Sequence, residues 1–90
     1  MTVKVRFFAQ FRELLGTDIV AEPGKSVADL IRSLTKDNGE GYRAIFDEKG
    51  TFRKFVIVMR NGKRLGNAEV ESTVVADGDE IAVFPPVAGG

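Results

Sequence analysis

The sequence predicts an α+β fold, a mixed sheet of four to five strands packed on one main helix. Three observations predict it. Residues 3–9 and 80–84, near the two ends of the chain, alternate apolar and polar side chains, the period of a half-buried strand. Val27, Leu30, Ile31 and Leu34 recur at i, i+3, i+4 and i+7, so a helix over residues 27–37 has one apolar face. Asn61-Gly62, set between two short runs, is the strongest hairpin signal in the chain. Ninety residues hold one domain. One helix covers one face of such a sheet, which gives two layers.

Each element follows from local chemistry. Residues 3–9 place Val3, Val5 and Phe7 on one face and Lys4, Arg6 and Phe8 on the other. Residues 10–15 read as a helical turn ended by Gly16. Residues 17–22 alternate again, with Ile19 and Ala21 on one face, and return antiparallel to the first strand. Pro23-Gly24-Lys25 breaks that strand. Ser26 then caps the main helix, and Asp29 three residues on completes a capping-box pattern with Asp in place of Glu. Asn38-Gly39 stops the helix. In residues 39–52, Tyr42, Ile45 and Phe46 have helical spacing over one turn, and Asp47-Glu48-Lys49-Gly50 reads as a turn. Residues 55–60 form a β-branched strand with Lys63-Arg64-Leu65 as its hairpin partner. Residues 70–75 fit either a helical turn or a short extended piece.

Asp77-Gly78-Asp79 turns the chain into its last strand; if that strand lies beside the first, both run in one direction, which the intervening helix makes workable. Pro85-Pro86 ends the ladder, because proline has no N–H to donate. The domain is expected to span residues 1–84, with 85–90 a flexible tail. The expected core is Val3, Val5, Phe7, Leu30, Ile31, Leu34, Ile57, Ile81 and Val83.

Composition excludes most catalytic chemistry. The chain has no Cys and no His, so it has no thiolate nucleophile, no His-based triad or zinc site, and no ordinary base near neutral pH. It is not expected to be an enzyme or to hold a cofactor of its own. Thirteen Lys and Arg balance thirteen Asp and Glu, so no whole-domain field draws it to nucleic acid or to a membrane. Asp77, Asp79 and Glu80 lack the calcium-loop pattern and read as a turn. Gly39-Glu40-Gly41 follows a helix rather than a strand and lacks the third glycine of a dinucleotide fingerprint. Arg53, Lys54, Arg60, Lys63 and Arg64, interleaved with Phe52 and Phe55, form a local basic cluster. With zero net charge it reads as a solvated hairpin with its phenylalanines in the core, and next as a surface for an acidic partner. No run approaches the ~18 apolar residues of a membrane span, and no targeting segment is evident, so a cytoplasmic location is expected.

Binding residues are found by parity. Phe8 and Phe84 fall on the strand faces opposite the apolar sets assigned to the helix, which points to a partner surface. The competing reading covers both rings with residues 40–52. Beyond them, Pro85-Pro86 stiffens the exit from the sheet, and the six residues from Pro85 to Gly90 extend to ~20 Å. Gly89 and Gly90 have no side chains, so the terminal carboxylate can enter a tunnel that Cβ atoms would block.

These residues carry a resemblance. Phe84-Pro85-Pro86-Val87-Ala88-Gly89-Gly90, preceded by Asp77-Gly78-Asp79-Glu80, resembles the end of the molybdopterin synthase small subunit, of the MoaD–ThiS family of ubiquitin-like sulfur carriers. The opening Val3-Lys4-Val5-Arg6-Phe7-Phe8-Ala9-Gln10-Phe11-Arg12-Glu13-Leu14 is similar to that family's first strand and turn, and residues 39–52 resemble longer archaeal-type members. The resemblance implies a ubiquitin-like β-grasp fold and a carrier role. An E1-like enzyme would adenylate Gly90 with ATP, which the partner binds, and a sulfurtransferase would supply sulfur for a thiocarboxylate. Gly89 would give access to the enzyme. Phe8, Phe84, Pro85, Pro86 and Val87 would contact partners, among them the synthase large subunit. Other readings are a protein modifier joined to lysines through Gly90, a carrier for tRNA thiolation or thiamine synthesis, and a β-grasp interaction module with an inert tail.

Overall fold

The two alternating segments at the chain ends become neighbours in the middle of one sheet. The computed structural model describes residues 2–85. Strand β1 (Val3–Phe7) pairs antiparallel with β2 (Ile19–Ala21) and parallel with the last strand, Glu80–Phe84; helix α1 (Gln10–Leu15) lies in the first connection. The main helix, α2 (Val27–Thr35), and a second helix, α3 (Gly39–Ile45), separate β2 from the hairpin of β3 (Ile57–Arg60) and β4 (Lys63–Leu65). Helix α4 (Asn67–Ser72) leads to β5 (Glu80–Phe84), and the sheet order is β2-β1-β5-β3-β4. A parallel pair needs a long crossover, and everything from β2 to α4 supplies it.

Ser26 caps α2 as expected, its hydroxyl accepting the Asp29 N–H at 3.1 Å. The capping box is only half made. The Asp29 carboxylate turns instead to Arg32, at 2.8 Å. Arg32 also bonds Glu71 of α4, donates to the Gly50 carbonyl at 2.9 and 3.2 Å, and lies 5.2 Å over the Phe46 ring. One side chain thereby ties α2, α4 and the segment after α3. In that segment Phe46 and Phe52 bridge as a closed loop and are both buried, so Phe52 is a core residue.

The core lies between α2 and the sheet and contains Val3, Val5, Phe7, Leu30, Ile31, Ile81 and Val83, with Leu34 packed at its margin. Ile57 does not belong to it. Val58 does, at 2% exposure, because the register Val58↔Val83 turns Val58 inward and leaves Ile57 opposite Phe84 on the other face. Residues 55–59 are all apolar, so no alternation marks which parity faces the helix. The strand also begins two residues later than its composition implies.

A candidate docking face at the root of the tail

Among the described residues the helices pack on one face of the sheet and leave the other uncovered. Parity sends Phe8, Arg6 and Lys4 of the β1 segment to that face, with Phe84, Ala82 and Glu80 from β5 and Ile57 and Met59 from β3. Phe8 and Phe84 meet there. Their rings stack with centroids 4.3 Å apart and planes 10° from parallel, and each is half-buried. The stack is held from the backbone. Phe8 N–H donates to the Val83 carbonyl at 3.1 Å, continuing the parallel ladder one residue past β1. Phe8 C=O accepts the Phe11 N–H at 3.1 Å, closing a turn around Ala9. Ala9 stands at φ 53°, ψ −130°, the first central position of a type II′ turn, which ordinarily takes glycine. Residues 40–52 do not cover the rings, because α3 packs on α1 and α2 in the helical layer.

The apolar centre is therefore Phe8, Phe84, Ile57, Met59 and Ala82. Charge lies around it. Lys4 faces Glu80 across the β1–β5 pair, Arg6 meets Asp18 at 3.0 Å, and Arg64 is paired with Met59. An apolar centre with a polar rim is the anatomy of a protein interface. Phe8, Phe84 and Pro85 are brought together as expected at the point where the chain leaves the sheet. Pro86, Val87, Gly89 and Gly90 lie outside the described residues. Ile57 and Met59 were not foreseen, since their parity could be read only from the register with β5.

The basic cluster of the 53–64 region divides. Arg60 is bound to Asp79 at the far end of β3, at 2.9 Å. Asp79 is buried and accepts also from Asn61 Nδ2 at 2.9 Å and Ala76 N–H at 2.8 Å. Burial alone would raise its carboxyl, but these donors outweigh it and hold it below the usual carboxylate range. This carboxylate is structural, joining the β3–β4 turn to the start of β5. Among the described residues, no group of three acidic side chains is placed to hold a metal ion, and no helix is long and apolar enough to cross a membrane.

A five-stranded mixed sheet on one main helix, with the last strand central and parallel to the first, defines a ubiquitin-like β-grasp protein. The chain belongs to the ThiS family, whose pattern matches residues 5–90. It is 36% identical to small archaeal modifier protein 3 of Haloferax volcanii over all of both chains. It is 35% identical to the molybdopterin synthase sulfur carrier subunit of Escherichia coli, over 98% of this chain and 99% of that one. The crystal structure of SAMP1 from Haloferax volcanii superposes with a TM-score of 0.83 at 26% identity, over all of both chains. The family is one of ubiquitin-like sulfur carriers and modifiers.

Proposed function

We propose that this chain is a sulfur carrier that works through Gly90 and supplies molybdopterin synthesis as the small subunit of a two-subunit synthase. The observation that carries the reading is the Phe8–Phe84 stack, fixed on an uncovered sheet face at the start of Phe84-Pro85-Pro86-Val87-Ala88-Gly89-Gly90. A partner that grips the stack holds the origin of the tail, and six residues then lead to Gly90 with less freedom to lose. The chain has no cysteine thiolate and no histidine, and activation is assigned to an E1-like enzyme. A carboxylate oxygen of Gly90 attacks the α-phosphorus of ATP and pyrophosphate leaves. Sulfur at the sulfide level, delivered by a sulfurtransferase, then displaces AMP to give a thiocarboxylate. ATP is bound by the enzyme, and the carrier needs no cofactor. Gly89 lets the terminus enter the enzyme without a Cβ. Residues 85–90 act as the tail of a domain formed by residues 1–84.

A second reading, conjugation of Gly90 to lysines of other proteins, is favoured by the likeness to small archaeal modifier protein 3 over the full chain. Both readings need adenylation, and one experiment tests that shared step. Appending one alanine after Gly90 should abolish adenylate formation by the host's E1-like enzyme and leave the thermal melt unchanged. Normal adenylation of the extended chain would refute Gly90 as the activated residue, and no adenylation of the wild type would leave the inert-tail module. In a host lacking the gene, loss of molybdopterin with intact tRNA thiolation and thiamine supports the first acceptor, and the reverse pattern moves the sulfur elsewhere.

A further inference from the structure

The residues just before β3 form a second feature at the tail's end of the sheet. Phe55 is 66% exposed, although every other phenylalanine is buried or stacked. Arg53 and Lys54 precede it, and the Lys54 ammonium lies 5.8 Å over its ring. Among the described residues neither cation enters an ion pair, and the Arg53 Nε–H is spent on the Arg43 carbonyl at 2.7 Å. The three line a groove of about 410 Å³ whose other walls include Gln10, Ala44 and Asp47. Its place is set by register. Ile57 pairs with Phe84, so Phe55 lies two residues beyond that pair, and Gln10 lies two residues beyond Phe8. The groove thus lies at the end of the sheet from which the chain leaves, with Ala44 and Asp47 of the helical side as part of its wall.

We propose that Arg53, Lys54 and Phe55 are a second docking element, which takes an acidic segment of the enzyme that activates Gly90. This rests on the function proposed above. Two cations beside an exposed ring call for carboxylates with apolar contact, and a wholly apolar partner would strip water from both charges without return. Asp47 at the groove stays ionised, because its Oδ1 accepts the Thr51 and Lys49 N–H groups of its own turn, and it offsets part of the nearby Arg53 charge, so Lys54 carries the larger share of the attraction. A nucleic acid fits less well. One ring and two cations give a short phosphate track, Arg60 at the other end of β3 is committed to Asp79, and the net charge is zero. The element steers the encounter, while the Phe8–Phe84 face holds the complex.

The test is association kinetics with the host's E1-like enzyme and ATP, read between about 50 and 500 mM NaCl. The wild-type association rate should fall with salt. The double variant Arg53→Glu/Lys54→Glu should associate about tenfold more slowly at low salt, with a flattened salt slope. Because Arg53 also supports the Arg43 carbonyl, Lys54→Glu is measured alone and should show the same flattening in part. Phe55→Ala should quicken dissociation. Unchanged rates and slope in the charge variants, with Phe84→Ala still weakening the complex, would overturn this element and leave the carrier reading intact. Failure of the wild type to bind or be adenylated would overturn both. Salt-sensitive binding of a fluorescent oligonucleotide that the charge variants lose, with enzyme binding unchanged, would overturn it in favour of nucleic acid.

Discussion

Asp79 is 6% exposed and accepts from Arg60, Asn61 and Ala76, so its charged form is favoured by folding. Its carboxyl lies below the unfolded value of about 3.9. A depressed carboxylate contributes stability that is full above the unfolded value and is lost as pH falls through the folded one. Asp79→Asn should therefore cost about 1–3 kcal/mol near neutral pH. In urea melts the gap between wild type and variant should narrow below pH ~4. A gap constant down to pH ~2 would mean that the Asp79 charge contributes nothing. Ala9 is a different case, one of three non-glycine residues with positive φ, at 53° in a turn closed on both sides. Such strain costs roughly 1–3 kcal/mol, of which the greater freedom of an unfolded glycine returns about 0.4–1. Ala9→Gly should raise stability by about 1 kcal/mol by the same melts, and Ala9→Val should lower it. A destabilised glycine variant would show that the alanine is not strained.

At the scale of elements, what could be read from sequence followed the strength of the pattern. The α2 stripe, the Asn61-Gly62 hairpin and the alternating end strands all formed where periodicity placed them; that β1 and β5 are neighbours came from the structure, and their parallel direction is the one the intervening helix allows. Residues 39–52 were only half legible. Tyr42, Ile45 and Phe46 showed one helical turn, and of the two phenylalanines read as core in the basic cluster, Phe52 is closed onto Phe46 in the core while Phe55 is exposed. Ile57 failed for the reason that any continuous apolar run fails, since only its partner strand assigns its face. The Phe8–Phe84 patch was legible because Lys4, Arg6 and Glu80 marked the outer parity, whereas its neighbours Ile57 and Met59 had no such marker. Helix α3 carries its own test. A Cβ on Gly41 would clash with Leu15 Cδ2 and lie 2.9 Å from Leu15 Cγ, so α1 and α3 meet at a glycine. Gly41→Ala should destabilise by about 1–3 kcal/mol, and Leu15→Ala in the same chain should remove most of that added penalty. Simple additivity of the two changes in urea unfolding would deny the contact.

For the whole molecule, the helical layer makes the core, and the opposite sheet face is the surface proposed for a partner. Phe84→Ala should weaken association with the E1-like enzyme at least about tenfold, since buried aromatic anchors contribute above ~2 kcal/mol. Its effect on folding should be smaller, about 0.5–1.5 kcal/mol for the lost stack with Phe8. Calorimetric titration and a thermal melt on the same variant separate the two, and unchanged affinity with a large loss of stability would return the ring to the core. The central claim is that this surface exists to deliver Gly90, and the mass of the intact chain from its native host tests it most directly. The carrier reading expects a species about 16 Da heavier, one oxygen replaced by sulfur, with fragmentation placing the change on Gly90. A chain whose Gly90 carries only its unmodified carboxylate, with neither sulfur nor a lysine-linked peptide, under conditions where the cofactor is being made, would contradict it.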